Sequence, residues 1–157
     1  MLEKIISGGQ TGADRAALDA ALAAGFPCGG YCPRGREAED GVIDAHYPLE
    51  EIEGGYAERT RKNVQAADAT VAFYTGTLTG GTLQTVNYCR QQQKPCHTID
   101  IERLDDPASI RSLAGFLQGR DIRVLNVAGP RESGSPGIHT RVGSIIAGLI
   151  EQLQGSD

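Results

Sequence analysis

Three glycine-rich segments, each following a short apolar run and preceding a helix-like stretch, constrain this chain more than any other feature of it. They are Ser7-Gly8-Gly9-Gln10-Thr11-Gly12-Ala13-Asp14, Thr75-Gly76-Thr77-Leu78-Thr79-Gly80-Gly81-Thr82 and Ala128-Gly129-Pro130-Arg131-Glu132-Ser133-Gly134-Ser135-Pro136-Gly137. Repetition of strand, turn and helix is the pattern of a mostly parallel sheet covered by helices on both faces, an α/β fold. All strand-to-helix turns of such a sheet lie at one edge, so the three segments read as pieces of one site. Helix N-termini at that edge present unpaired N–H groups suited to phosphate or another anion.

Strand-like runs occur at 4–7, 29–32, Ala69–Tyr74, 96–101 and 122–127. The Ala/Leu-rich stretch 13–24 ends at Gly25-Phe26-Pro27, a C-terminal glycine followed by a proline that cannot continue a helix. Helical spacing of Tyr56, Thr60, Val64 and Ala67 predicts a helix over 56–67, and a third is expected over 81–92. Ile110, Leu113, Ala114 and Leu117 mark a fourth, and the apolar series from Ile138 to Leu153 marks the last. Residues 32–55 show no period and carry Pro33, Gly35, Gly41, Pro48, Gly54 and Gly55, which reads as a long functional flap beside the strand ends. The length of 157 residues fits one domain, 1–157.

Charge and composition exclude several classes. With 15 Lys+Arg against 20 Asp+Glu the net charge is −5, so the footprint of a nonspecific nucleic-acid binder is missing. Aromatic residues make up 5% and Trp is absent, which argues against a base-stacking platform. The apolar run after Glu3-Lys4 is too short for a signal or a membrane span, so a cytoplasmic protein without membrane contact is expected. Cys28, Cys32, Cys89 and Cys96 read as reduced thiols, because a chain this long needs no disulfide framework. Cys28 and Cys32 lack a second cysteine pair, and no metal site is expected. His46 and His139 are isolated, so no catalytic constellation is assigned.

In the first turn, Gly8, Gly9 and Gly12 allow close backbone approach to a ligand and positive φ, with Gln10 among them. Thr11 and Asp14 have the spacing of a capping box; the alternative is that Asp14 faces the ligand. The segment is neither a Walker A loop nor a GxGxxG fingerprint. In the second turn, Gly80-Gly81-Thr82 opens a helix and Thr75 adds a hydroxyl near the anion site, against the simpler reading of N-capping threonines. In the third, Gly129 allows approach, and Arg131 either grips a phosphate or pairs with Glu132. Arg34 or Arg36 of the flap is a further candidate for the ligand, against a solvated surface.

Ile6-Ser7-Gly8-Gly9-Gln10-Thr11-Gly12-Ala13-Asp14-Arg15-Ala16-Ala17-Leu18-Asp19, Cys32-Pro33-Arg34-Gly35-Arg36-Glu37-Ala38-Glu39-Asp40-Gly41 and Asn126-Val127-Ala128-Gly129-Pro130-Arg131-Glu132-Ser133 resemble the molybdenum carrier family. That family is also described as the circularly permuted YpsA branch of the SLOG superfamily. The resemblance implies a Rossmann-like three-layer sandwich related to molybdenum cofactor carrier proteins and to LOG-type phosphoribohydrolases. It implies a phosphorylated ligand, either molybdenum cofactor (molybdopterin) or a nucleotide. It also implies a homo-oligomer, for which the apolar face of the last helix is the candidate contact. The phosphoribohydrolases carry a PGGxGTxxE motif with a catalytic glutamate, and here Gly81-Thr82-Leu83-Gln84-Thr85 puts Thr85 in its place. A hydroxyl cannot act as that carboxylate. A binding protein is therefore the favoured reading, and a nucleotide-processing enzyme drawing on Asp14, Glu37 or Glu132 is the alternative.

Overall fold

Side chains on a strand alternate between faces, and here the alternation separates bulky from small. The structure, a computed structural model, describes residues 1–155. In chain order its elements are β1 (Lys4–Ile6), α1 (Ala13–Ala23), β2 (Cys28–Gly29), β3 (Tyr31–Cys32), β4 (Glu37–Ala38), β5 (Gly41–Val42), β6 (Glu50–Glu51) and α2 (Tyr56–Ala66). They continue with β7 (Ala69–Tyr74), α3 (Gly80–Gln91), β8 (Cys96–Asp100), α4 (Asp106–Leu117), β9 (Val124–Ala128) and α5 (Ile138–Gln154). Among the described residues, β2-β1-β9-β7-β8, in that order, form one parallel sheet. This is the expected Rossmann-like α/β arrangement.

Ile5, Val71, Phe73, Leu125 and Val127 point to one face, where α1, α4 and α5 bury them in the main core. Ile138, Val142, Ile145, Ile146, Leu149 and Ile150 of α5 are all within 1% of full burial in that core. This corrects one expectation: the apolar face of the last helix is spent inside the chain, so it is not a contact for a second copy. The opposite face carries Thr70, Ala72, Asn126 and Ala128, smaller or more polar, beneath α2 and α3.

The run at 29–32 does not stay in one sheet. Gly30 has φ 131°, and a Cβ there would meet the Ser7 backbone, so the chain breaks between β2 and β3. β3 pairs instead with β6, and β4 with β5, which gives 32–55 more local structure than its sequence predicted. Arg36 organises this segment by donating to the carbonyls of Ile43, Asp44, Tyr47 and Leu49. A small core of Leu18, Cys32, Ala38, Ile43 and Tyr47 anchors the flap to α1.

The strand order explains where a ligand belongs. Counted from β7, the strands follow as β7, β8, β9, β1, β2, and across the sheet they stand 2-1-3-4-5, the flavodoxin-like order. The chain starts in the middle of that series, at β1. Its C-terminal helix runs back to the edge where β1 begins: Gln154 donates to the Ala24 carbonyl (3.5 Å), just before Pro27, whose carbonyl accepts from Ile5 N–H (3.0 Å). This is the geometry of a circular permutation. The switch point of the order lies between β7 and β9, and the crevice outside their carboxyl ends is the expected ligand site.

Candidate functional site

A cleft of about 530 Å³ opens at that switch point. Its floor comes from the ends of β7 and β9, with Tyr74, Asn126 and Ala128, and its walls from the three glycine-rich turns and the facing side of α2. Of the residues expected at the ligand, Gly8, Gln10, Asp14, Thr75, Gly80, Gly81, Thr82, Gly129 and Arg131 line it. Gly9, Thr11, Gly12 and Arg34 do not. The lining carries two guanidinium groups, Arg59 and Arg131, against one carboxylate, Asp14, so a chain of net charge −5 concentrates positive charge here.

The three turns are not equivalent. At the start of α1, Ala13 N–H donates to Pro130 O (3.1 Å) and Arg15 N–H to Gln10 O (3.0 Å). At the start of α5, the Glu132 carboxylate accepts from the N–H groups of Gly137 (2.8 Å) and His139 (3.0 Å), which holds its pKa below the usual range. Both ends are therefore capped by protein. At the start of α3, Thr79 makes no side-chain cap, and the N–H groups of Gly80, Gly81 and Thr82 have no acceptor among the described residues. A Cβ at Gly80 or Gly81 would meet nothing within 4 Å, so this helix end faces open space. Of the three helix starts, only that of α3 leaves three consecutive first-turn amides without an acceptor among the described residues.

The first turn spends its glycines on packing. A Cβ at Gly8 would overlap the Arg59 guanidinium, with Cδ at 2.5 Å and Cζ at 2.7 Å. Gly12 has φ 78°, and a Cβ there would sit 2.7 Å from Glu132 N and 2.8 Å from Arg131 C, so turn one closes on turn three. At Gly9 the nearest neighbours are Leu49 and Ile43 of the flap. The capping-box reading of Thr11 and Asp14 is also corrected, since α1 has no side-chain cap. Thr11 instead accepts from Glu132 N–H (3.1 Å) and donates to Glu39.

Asp14 is buried and pairs with Arg59 of α2, Nη1 to Oδ2 at 2.8 Å. Burial pushes its carboxyl above the usual carboxylate range, while Arg59 and the Gln10 N–H pull the other way. Arg59 is the charged lining residue that sequence reasoning missed, along with the polar Asn63, Gln84 and Asn126. It sits 45 positions from Asp14 on a polar helix with no local motif, and only the burial of a charged residue gives it away. Its Nε is buried without a partner, and its guanidinium lies 5.6 Å from the Tyr56 ring centroid.

The flap contributes no lining residue and supports the turns from behind. Glu39 accepts from Ser133 Oγ (2.5 Å) and Ser133 N–H (3.2 Å), and its own N–H donates to Gln10 Oε1 (2.9 Å). Arg15 joins Asp40 (2.5 Å) to the Gly9 carbonyl (3.0 Å). Arg34 lies outside the cleft, its side chain 77% exposed and 3.6 Å from Glu53. Thr85 lines the cleft, but its hydroxyl donates back to Gly81 O (2.9 Å). Of the carboxylates considered in its place, Asp14 alone is in the lining; Glu37 and Glu132 are not. Among the described residues no group of His, Cys, Asp and Glu is placed to hold a metal ion, and no helix is long and apolar enough to cross a membrane.

Comparison with known proteins agrees with the permuted topology. The model of the circularly permutated YpsA SLOG family matches residues 5–150. The chain belongs to this family. The crystal structure of a "putative molybdenum carrier protein" from Syntrophus aciditrophicus SB is similar, with 39% identity and a TM-score of 0.92 over 95% of each chain. No curated protein matches. In this cpYpsA chain the α3 end, Arg59 and Asp14 all line one cleft.

Proposed function

We propose that this protein is a carrier or binding protein that holds a phosphorylated small molecule, a pterin cofactor such as molybdopterin or a nucleotide, in the cleft between β7 and β9. The observation that carries the reading is the open N-terminus of α3, where three consecutive amides lack acceptors beside two arginines. A phosphate there accepts from Gly80, Gly81 and Thr82 and is balanced by the helix dipole and by Arg131, which takes part in none of the ion pairs among the described residues. Membership of the family and similarity to a protein named as a molybdenum carrier support the carrier or binding role. A homo-oligomer, if formed, uses a surface other than the apolar face of α5.

The enzymatic alternative has weaker support. Thr85 stands where the related hydrolases place a glutamate, and its proton is committed to a backbone carbonyl. The remaining carboxylate of the lining is locked to Arg59. Incubation with nucleoside 5′-monophosphates tests the choice. Saturable binding without release of free base or ribose 5-phosphate is expected, and multiple turnover would contradict it.

A further inference from the structure

The geometry points to Asp14 as the residue that reads the uncharged part of the ligand, one carboxylate oxygen accepting an O–H or N–H across the cleft from the anion site at α3. The inference rests on the ligand reading above and adds the chemistry of the ligand's other end. Oδ2 of Asp14 is occupied, accepting from Arg59 Nη1 (2.8 Å) and from Gln10 N–H (3.3 Å). Oδ1 accepts no hydrogen bond from the described residues, although the side chain is only 9% exposed and lines the cleft. The buried polar side-chain atoms without partners are Arg59 Nε and Ser109 Oγ, so Oδ1 is not sealed in the protein. What remains of its surface opens on the cleft.

An oxygen in this position has a definite preference. A carboxylate accepts and does not donate, and it repels an anion across the cleft. The phosphate therefore belongs at α3, and Asp14 is left to meet a donor. Burial already raises the energy of the charged form, as the upward displacement of its pKa reflects, so a donor on Oδ1 gains more here than at a solvated surface. A ligand without that donor leaves Oδ1 desolvated and unpaired, which is how buried polar groups reject close analogues. Arg59 fixes the direction of the carboxylate, and Gly8 is small so that Arg59 can lie there. Two kinds of donor fit, a sugar hydroxyl or the amino and ring N–H edge that guanine shares with pterins.

The test is titration calorimetry with guanosine 5′-monophosphate and three analogues, with inorganic phosphate as the baseline. The 2′,3′-dideoxy compound lacks the sugar hydroxyls, inosine monophosphate lacks the amino group, and 1-methylguanosine monophosphate lacks the ring N–H. On the unmodified protein, one deletion is expected to weaken binding by roughly tenfold or more, the scale of a hydrogen bond to a charged group. In Asp14→Asn that difference disappears. Equal affinities for the four nucleotides within about twofold, or a difference that persists in Asp14→Asn, would overturn the assignment and leave the phosphate reading standing. Failure of every phosphorylated probe to bind the unmodified protein would overturn both. Should Asp14→Asn not fold, Asp14→Leu/Arg59→Met removes both charges together and leaves no acceptor at position 14, and the same comparison of ratios applies.

Discussion

Gly8 shows how a residue suited to a ligand can be required by the protein itself. Its missing Cβ makes room for Arg59, which is pinned by Asp14 and cannot swing away without breaking a buried ion pair. Gly8→Ala is therefore expected to lower stability by about 1–3 kcal/mol through overpacking, measured by denaturant unfolding. Unchanged stability would show that Arg59 has an alternative place. Gly81 is the opposite case: its Cβ position is open, so Gly81→Val leaves stability nearly unchanged and acts on the cleft. From the sequence both were simply glycines in a turn. What separates them is a guanidinium on α2, brought over Gly8 by long-range packing that no local pattern reports.

At the scale of elements, the helices were legible because their apolar spacing and terminal glycines are local signals. Observed helices Ala13–Ala23 and Tyr56–Ala66 end one residue before the expected spans, and Gly80–Gln91 is shifted by one residue at both ends. The flap was legible only as an irregular stretch. Its order comes from Arg36 reaching carbonyls and from carboxylates gripping two turns, side-chain bonds with no sequence period. That clasp has a pH signature. Hydrogen bonds from Ser133 and Thr11 hold Glu39 below the usual carboxylate range, and the Arg15 side chain does the same for Asp40. Both pKa values are depressed in the folded state, so their contribution is whole above the unfolded values and is lost as pH falls through the folded ones. The gap in Tm between wild type and Glu39→Gln should be a few degrees at neutral pH and close below about pH 4. A gap that persists at low pH would assign Glu39 a role independent of its charge.

For the whole molecule, the three turns were readable as neighbours because parallel sheets collect strand ends at one edge. Their unequal roles were not readable, since Pro130 satisfies α1 from the other end of the chain, and Glu132 folds back on α5 from within its own turn at a spacing that no capping motif has. The permuted order has its own consequence. Joining the C-terminus to Met1 by a short flexible linker and opening the chain between Ala66 and Ala67 restores the unpermuted series, with β7 first. Such a variant should fold to the same sheet, with a circular dichroism spectrum and a cooperative melt like the parent's. Loss of cooperative unfolding would mean that the break before β1 is needed for folding. The central claim is that the open end of α3 holds a phosphorylated ligand, and native mass spectrometry of gently purified protein tests it most directly. Wild type is expected to retain a phosphorus-containing small molecule, or to take up guanosine 5′-monophosphate at one per chain, and Gly81→Val, equally well folded, to do neither. Equal retention by Gly81→Val, or no phosphorylated species on wild type in either form, would contradict the account.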